Sequence, residues 1–243
     1  MSMLQVLRTG KPQGAPEPDQ GDQPPPWMEG MGEEAFAEFF LNALDSRNAY
    51  LADAVAAQLE LGGSRNLLDV GGGSGIYACA LARCNSALYA TVLEKPPVDA
   101  VARRAVQRRG LSERVSVVSG DMLSTALPHG HDVHLYSNVI HDWEEAGVRR
   151  LFASSFDALP PNGRIVVHDA LLDDDKQNLL AVAQYSVLLM SFTAGRCYSV
   201  AEIRDLLHEA GFTKIVHHPT VVHRSLVTAS KPGSAAFASQ QTR

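Results

Sequence analysis

His141, in "SNVIHDWEE" (137–145), lies between an apolar run and two acidic residues, and it is the side chain best suited to move a proton. Imidazole titrates near neutral pH, so it can take up and release a proton without an extreme environment. A plainer reading is that His141 only begins the next helix, with Asp142 as its cap. Four other segments place polar groups comparably. In "LLDVGGGSG" (67–75), Asp69 precedes Gly71, Gly73 and Gly75, which allow a tight turn and close approach of a ligand to the backbone. "TVLEKPP" ends an apolar run at Glu94, and a carboxylate at this distance from a glycine loop can accept both hydroxyls of a ribose. "SGDML" offers Asp121, an acceptor for an adenine amino group, and Met122, which can pack on a flat ring. "VVHDALL" offers Asp169. Taken singly, Glu94 serves equally as a charge at a helix N-terminus and Asp121 as a turn residue.

These residues share a purpose only if the elements between them bring them together. "EEAFAEFFLNALDSRNAYLADAVAAQLEL" has helical spacing and is expected to form two helices. Apolar runs beginning at "NLLDV", "ALYATVLE", "RVSVVSGD", "DVHLYSNV" and "GRIVVHDAL" read as strands, with helical patterns such as "VDAVARRAVQRRG" and "EEAGVRRLFASSFDALP" between them. "SVAEIRDLLHEAGF" reads as a helix with a serine N-cap and a glycine near its end. "TKIVHHP" and "TVVHRSLVTAS" read as a final antiparallel pair. Such alternation implies an α/β fold with a mainly parallel sheet, helices on both faces, and a ligand site outside the carboxyl ends of the strands. Polar residues at the ends of five successive strands then form one set, and the set reads as a nucleoside site. A dinucleotide fingerprint would place a third glycine where Ile76 stands, which disfavours a pyrophosphate-bearing cofactor.

Bulk properties narrow the choice further. The chain has 243 residues, 45% hydrophobic and 20% charged, with a net charge of -6, which argues against nucleic acid. No apolar run approaches a membrane span, and the first residues show no signal-peptide core. Cys79, Cys84 and Cys197 form no C-x-x-C pair, so a reducing cytoplasm is the default. The histidine groups "PHGHDVH" and "VHHPTVVH" lack a fitting set of partners for a metal. Segments rich in Pro, Gly and Gln mark residues 1–26 and 232–243 as expected tails around one domain at 27–231.

With those segments in order, the chain resembles the class I S-adenosylmethionine-dependent O-methyltransferases, especially the plant caffeate type and its bacterial and acetylserotonin-type relatives. The resemblance runs from about Trp27 to Lys231. It implies a doubly wound, mainly parallel seven-stranded sheet of the Rossmann-like methyltransferase kind, S-adenosyl-L-methionine as cofactor, and a small-molecule hydroxyl as methyl acceptor. By position, Gly71, Gly73 and Gly75 match the loop under the methionine part of the cofactor. Glu94 matches the ribose ligand, and Asp121 with Met122 match the adenine contacts. His141 matches the general base and Asp169 its acidic partner. Plant members carry a cofactor-contacting Lys where Ser137 stands here, and a second acidic partner in a stretch that aligns with "GRCYS" (195–199), at Cys197. Orientation of His141 is then expected to rest on Asp169 and on Asp142 or its backbone. Tyr185, Met190 and Phe192 fall where relatives line the acceptor pocket, although helical spacing makes core packing an equal reading for each. Trp143 reads as core.

The family's N-terminal dimerisation domain has a counterpart here only in "LQVLRTGKP". The expectation is a chain lacking most of that domain, either truncated or begun late, with its dimerisation open. Two rival readings also remain: a relative that binds the same cofactor but performs hydroxylation or decarboxylation, and a chain that binds it without turnover.

Overall fold

A computed structural model describes residues 29–177 and 180–233, together with Val6 and Arg8. The expected tails fall outside the described residues apart from Val6, which is helical and buried, Arg8, and positions 232 and 233.

Seven strands form one sheet: β1 (Asn66–Val70), β2 (Tyr89–Glu94), β3 (Val115–Ser119), β4 (Val133–Ser137), β5 (Arg164–Asp169), β6 (Thr213–Pro219) and β7 (Ser225–Ser230). Their order across the sheet is β3-β2-β1-β4-β5-β7-β6. Strands β1 to β5 are parallel, and β7 runs antiparallel between β5 and β6. The expected seven-stranded sheet and its closing antiparallel pair are both present.

The central strands read as unbroken apolar runs because both faces of the sheet are covered. Successive side chains alternate between two cores: Leu67, Leu135 and Val166 enter one, and Leu68, Tyr136 and Val167 enter the other. The first core is closed by helices α1 (Glu34–Gln58), α2 (Ile76–Cys84) and α3 (Val98–Arg108). The second is closed by α4 (Glu145–Ala158) and α6 (Val200–Glu209). Helix α5 (Leu180–Phe192) lies over the carboxyl rim and contributes Leu189 and Val182 to a small separate core. Among the described residues no helix is long and apolar enough to cross a membrane.

The segment expected to form two helices is one, α1, of 25 residues. Nothing between Glu34 and Gln58 breaks it, since the stretch has neither Pro nor Gly. The polar residues at its middle are occupied: Ser46 Oγ donates to the Ala43 carbonyl at 2.7 Å, and Asp45 accepts from Ser74 Oγ at 2.7 Å. Helix α6 begins as expected, with a capping box in which Glu202 N donates to Ser199 Oγ and Ser199 N donates to Glu202 Oε2.

Candidate active site

Strand order reverses between β1, which leads to β2 and β3, and β4, which leads to β5. The loops leaving β1 and β4 therefore diverge at their carboxyl ends and leave a crevice between them. A cavity of about 800 Å³ occupies it, lined by the loops after β1, β2, β3 and β4 and roofed by α1 and α5. That volume is within the range that holds a small-molecule ligand.

The floor is glycine backbone. Gly71 and Gly73 have φ of 66° and 56°, in the left-handed region where a Cβ is penalised. A Cβ on Gly71 would also stand 3.2 Å from Met122 Sδ and 3.3 Å from Val139 Cγ2. Both glycines line the cavity, as do Glu94, Asp121, Met122 and Ser137. Gly75 does not; it is the N-cap of α2 with φ 72°, and a Cβ there would meet Val92 of β2 at 3.0 Å. Asp69 is buried beneath the loop, where it accepts from Ala78 N at 3.3 Å.

Glu94 braces the same loop, since Gly73 N donates to its Oε1 at 3.0 Å and Lys95 N to its Oε2 at 3.1 Å. Burial pushes the Glu94 carboxyl up to about 7, against those hydrogen bonds, and pushes Asp69 to about 7 as well. Asp121 is both a turn residue and a cavity residue: its Oδ1 accepts from Leu123 N at 2.9 Å.

His141 lies in a single 3-10 turn, Ile140–Asp142, after the chain leaves β4 through Asn138 at φ 54°. It is 5% exposed and lines the cavity. Its Nδ1 is 2.6 Å from Asp169 Oδ1, which also accepts from Ala170 N at 2.7 Å. Burial tends to raise the Asp169 pKa, but the adjacent imidazole and the Arg224 charge outweigh it and keep the carboxyl below its usual range. An ionised carboxylate can only accept, so Nδ1 carries the proton and Nε2 is left as the free lone pair. Asp142 Oδ1 is 3.6 Å from Nε2. Burial alone would make the imidazole less basic; the charges of Asp169 and Asp142 reverse this and raise its pKa. Asp142 does not cap α4, whose N-cap is Glu144. Burial lifts its own carboxyl to about 6.

The "GRCYS" segment holds this turn from outside. A Cβ on Gly195 would collide with the His141 carbonyl and come within 2.6 Å of Trp143 N, and Tyr198 OH donates to the Trp143 carbonyl at 2.7 Å. Cys197 is buried, with its thiol pushed up to about 12, so it brings no charge to the imidazole. Trp143 packs against the second core and also lines the cavity.

On the roof, Tyr185 and Phe192 face the cavity together with Leu188 and Leu189. Met190 does not line it, because the helical phase carries position 190 away from the face shared by 185, 188, 189 and 192. The Tyr185 ring meets His141 edge-on at 5.6 Å. Ser137 Oγ is 2.8 Å from His168 Nδ1, so it is engaged within the sheet rim.

Several site residues escaped the sequence reading. Asn138 donates to Tyr77 OH at 2.9 Å and accepts from Arg224 Nε at 3.1 Å, and the Arg224 guanidinium lies 4.9 Å from the Tyr185 ring centroid. Arg224 arrives only because β7 returns beside β5, opposing Ser225 to Asp169. The asparagine after β4 was the one local signal, since Asn tolerates positive φ at a turn. The histidine groups have ordinary partners: His131 Nε2 lies 3.1 Å from Thr91 Oγ1, His134 Nδ1 3.0 Å from Ser155 Oγ, and His217 Nε2 3.0 Å from Ser225 Oγ.

Comparison with known proteins bears on this arrangement. The model of an O-methyltransferase domain matches residues 10–213. A 3-hydroxy-5-methyl-1-naphthoate 3-O-methyltransferase of Streptomyces sahachiroi is 33% identical over 87% of the chain and 59% of its own length. The solved S-adenosylmethionine-dependent methyltransferase SibL is 28% identical with a TM-score of 0.79, over 95% of this chain and 68% of that one. An O-methyltransferase family 2 protein from Planctomyces limnophilus DSM 3776, solved in complex with apigenin, is 32% identical with a TM-score of 0.77, over 88% and 63%. The chain thus spans a little over half the length of the first curated relative it matches.

Proposed function

The chain belongs to the O-methyltransferase domain family, and on that footing we propose that it transfers a methyl group from S-adenosyl-L-methionine to the hydroxyl of an aromatic or polyketide-like small molecule, with His141 as general base. The observation that carries the reading is the Asp169–His141 pair, which engages Nδ1 and leaves Nε2 as the basic nitrogen of an imidazole that lines a cavity floored by glycine backbone.

The residues present fit the cofactor. The Gly71–Gly73 backbone would carry its methionine part, Glu94 its ribose hydroxyls, and Asp121 with Met122 its adenine. Bound there, S-adenosyl-L-methionine supplies a methyl group already activated on a sulfonium sulfur, so no metal or oxidant is needed.

The protein supplies position and proton transfer. A phenol has a pKa near ~10 and is mostly neutral at pH 7. His141 Nε2 takes the hydroxyl proton as the oxygen acquires the methyl, and Asp169 stabilises the imidazolium that results. Leu188, Leu189 and Phe192 give the roof an apolar face, and apolar surroundings favour a step in which the negative charge developing on the oxygen is lost as the new bond forms. Holding acceptor and donor in line supplies much of the remaining rate. Two relatives support an aromatic acceptor: one is a hydroxynaphthoate O-methyltransferase, and another was solved in complex with apigenin.

The test is His141→Ala, assayed by product mass for the gain of one CH2 and by titration with S-adenosylhomocysteine. Turnover should fall by about 10²–10⁴-fold with cofactor affinity unchanged. Parallel loss of both would show that the histidine is structural, and a product lacking the added CH2 would reject methylation itself.

A further inference from the structure

Arg224 places a buried cation beside the Asp169–His141 pair without lining the cavity. It is 8% exposed and stands one residue before Ser225, the partner of Asp169 in the sheet register. Two neutral groups fix it there. Its Nε donates to Asn138 Oδ1 at 3.1 Å, and its guanidinium lies over the Tyr185 ring, 4.9 Å from the centroid. Asn138 is pinned in turn, because its Nδ2 donates to Tyr77 OH at 2.9 Å. Neither contact neutralises the guanidinium, so its charge is felt by the groups around it, Asp169 and His141 among them.

The acids at the histidine come from two elements. Asp169 ends β5, 2.6 Å from His141 Nδ1, and Asp142 follows the histidine in its own turn, 3.6 Å from Nε2. The neighbouring titratable groups are neutral at pH 7: burial pushes the Cys197 thiol up to about 12, raises the Tyr185 phenol, and pushes His168 down to about 4. Arg47 on α1 is felt at Tyr185 and at His168. Two acids beside one shielded imidazole favour an imidazolium, which has no lone pair left on Nε2. A fixed cation near Asp169 favours that carboxylate as an acceptor and disfavours a second positive charge on the ring.

Resting on the reading of His141 as general base, we propose that Arg224 is a positioning residue for it: the guanidinium held by Asn138 and Tyr185 keeps the Asp169–His141 pair at one proton, on Nδ1, and so keeps Nε2 free to take the proton of the methyl acceptor. Arg224 acts through Asp169 and the ring and does not touch the acceptor.

Nitrogen-15 NMR of the histidine-labelled full chain, with the His141 signals assigned by their loss in His141→Gln, follows this titration without any turnover. At the high-pH end the wild type should carry the proton on Nδ1 and none on Nε2. In Arg224→Gln the titration of His141 should move up by about one pH unit, and the acid limb of kcat/KM should move up with it. Arg224→Lys keeps the charge and should hold both near the wild-type values. Asn138→Gly accepts the positive φ of 54° and removes the amide that holds Nε, so it should move the titration in the same direction as Arg224→Gln. Far-ultraviolet circular dichroism checks each fold, and Asn138→Gly decides alone if Arg224→Gln does not fold. A His141 titration that stays at its wild-type position in the deciding variant, or that moves as far in Arg224→Lys as in Arg224→Gln, would overturn the assignment. A kinetic limb that does not follow the titration, or turnover that survives in His141→Gln, would instead strike the reading of His141 as base.

Discussion

At the scale of single residues, the geometry around His141 makes a statement about pH. Its pKa is raised because Asp169 and Asp142 together outweigh the effect of burial, and only the neutral imidazole can take a proton. Activity should therefore rise with pH through a value above that of an ordinary histidine. Asp142→Asn removes one of the two charges while leaving the 2.6 Å bond to Asp169 in place, so the acid limb of kcat/KM should move to lower pH. An unmoved limb would mean that Asp142 does not reach the imidazole. Much of this pair was legible in the sequence, because a histidine after one strand and an aspartate ending the next are brought side by side by parallel pairing, Ser137 opposite His168. Arg224 was not legible, since its approach depends on which strand β7 pairs with, and nothing local to "VVHRS" says so.

Among the elements, the turn that carries His141 is too short to hold itself, and the loop after α5 holds it. Gly195 packs its Cα against the backbone of residues 141–143, and Tyr198 bonds the Trp143 carbonyl. Gly195→Ala forces those backbones apart. It should cost about 1–3 kcal/mol of stability in denaturant unfolding and lower kcat with little change in S-adenosylhomocysteine affinity. Wild-type stability and kcat would show that the loop is not the clamp. The strands, their order of appearance and the α6 cap could be read from apolar runs and a serine before a helical pattern, because those signals are local. The unbroken α1 could not, since Asp45 at its middle is held by long-range partners, Ser74 and Arg109. Met190 was misplaced for a related reason: a helix apolar on every side does not announce which face meets the cavity.

Across the whole molecule, the sheet crossover that creates the cavity also buries two carboxyls, Asp69 and Glu94, each with a pKa near 7. A carboxyl whose folded pKa lies above its unfolded value stabilises the fold most below the unfolded value, and that contribution is lost as pH rises through the folded one. For Glu94 the window runs from its ordinary value of 4.5 to about 7. Glu94→Gln mimics the protonated form, so its Tm relative to wild type should climb as pH is raised from about 5 to 8. A difference independent of pH would contradict the buried, proton-bearing Glu94. The same carboxylate must be ionised to accept two ribose hydroxyls, so cofactor binding near neutral pH should release a proton. Calorimetric titration of the folded wild-type protein with S-adenosylhomocysteine, in buffers of different ionisation enthalpy, probes the crevice at the β1/β4 reversal most directly. The account predicts saturable one-to-one binding with a buffer-dependent heat that vanishes in Glu94→Gln; a folded protein that takes up no S-adenosylhomocysteine would contradict it.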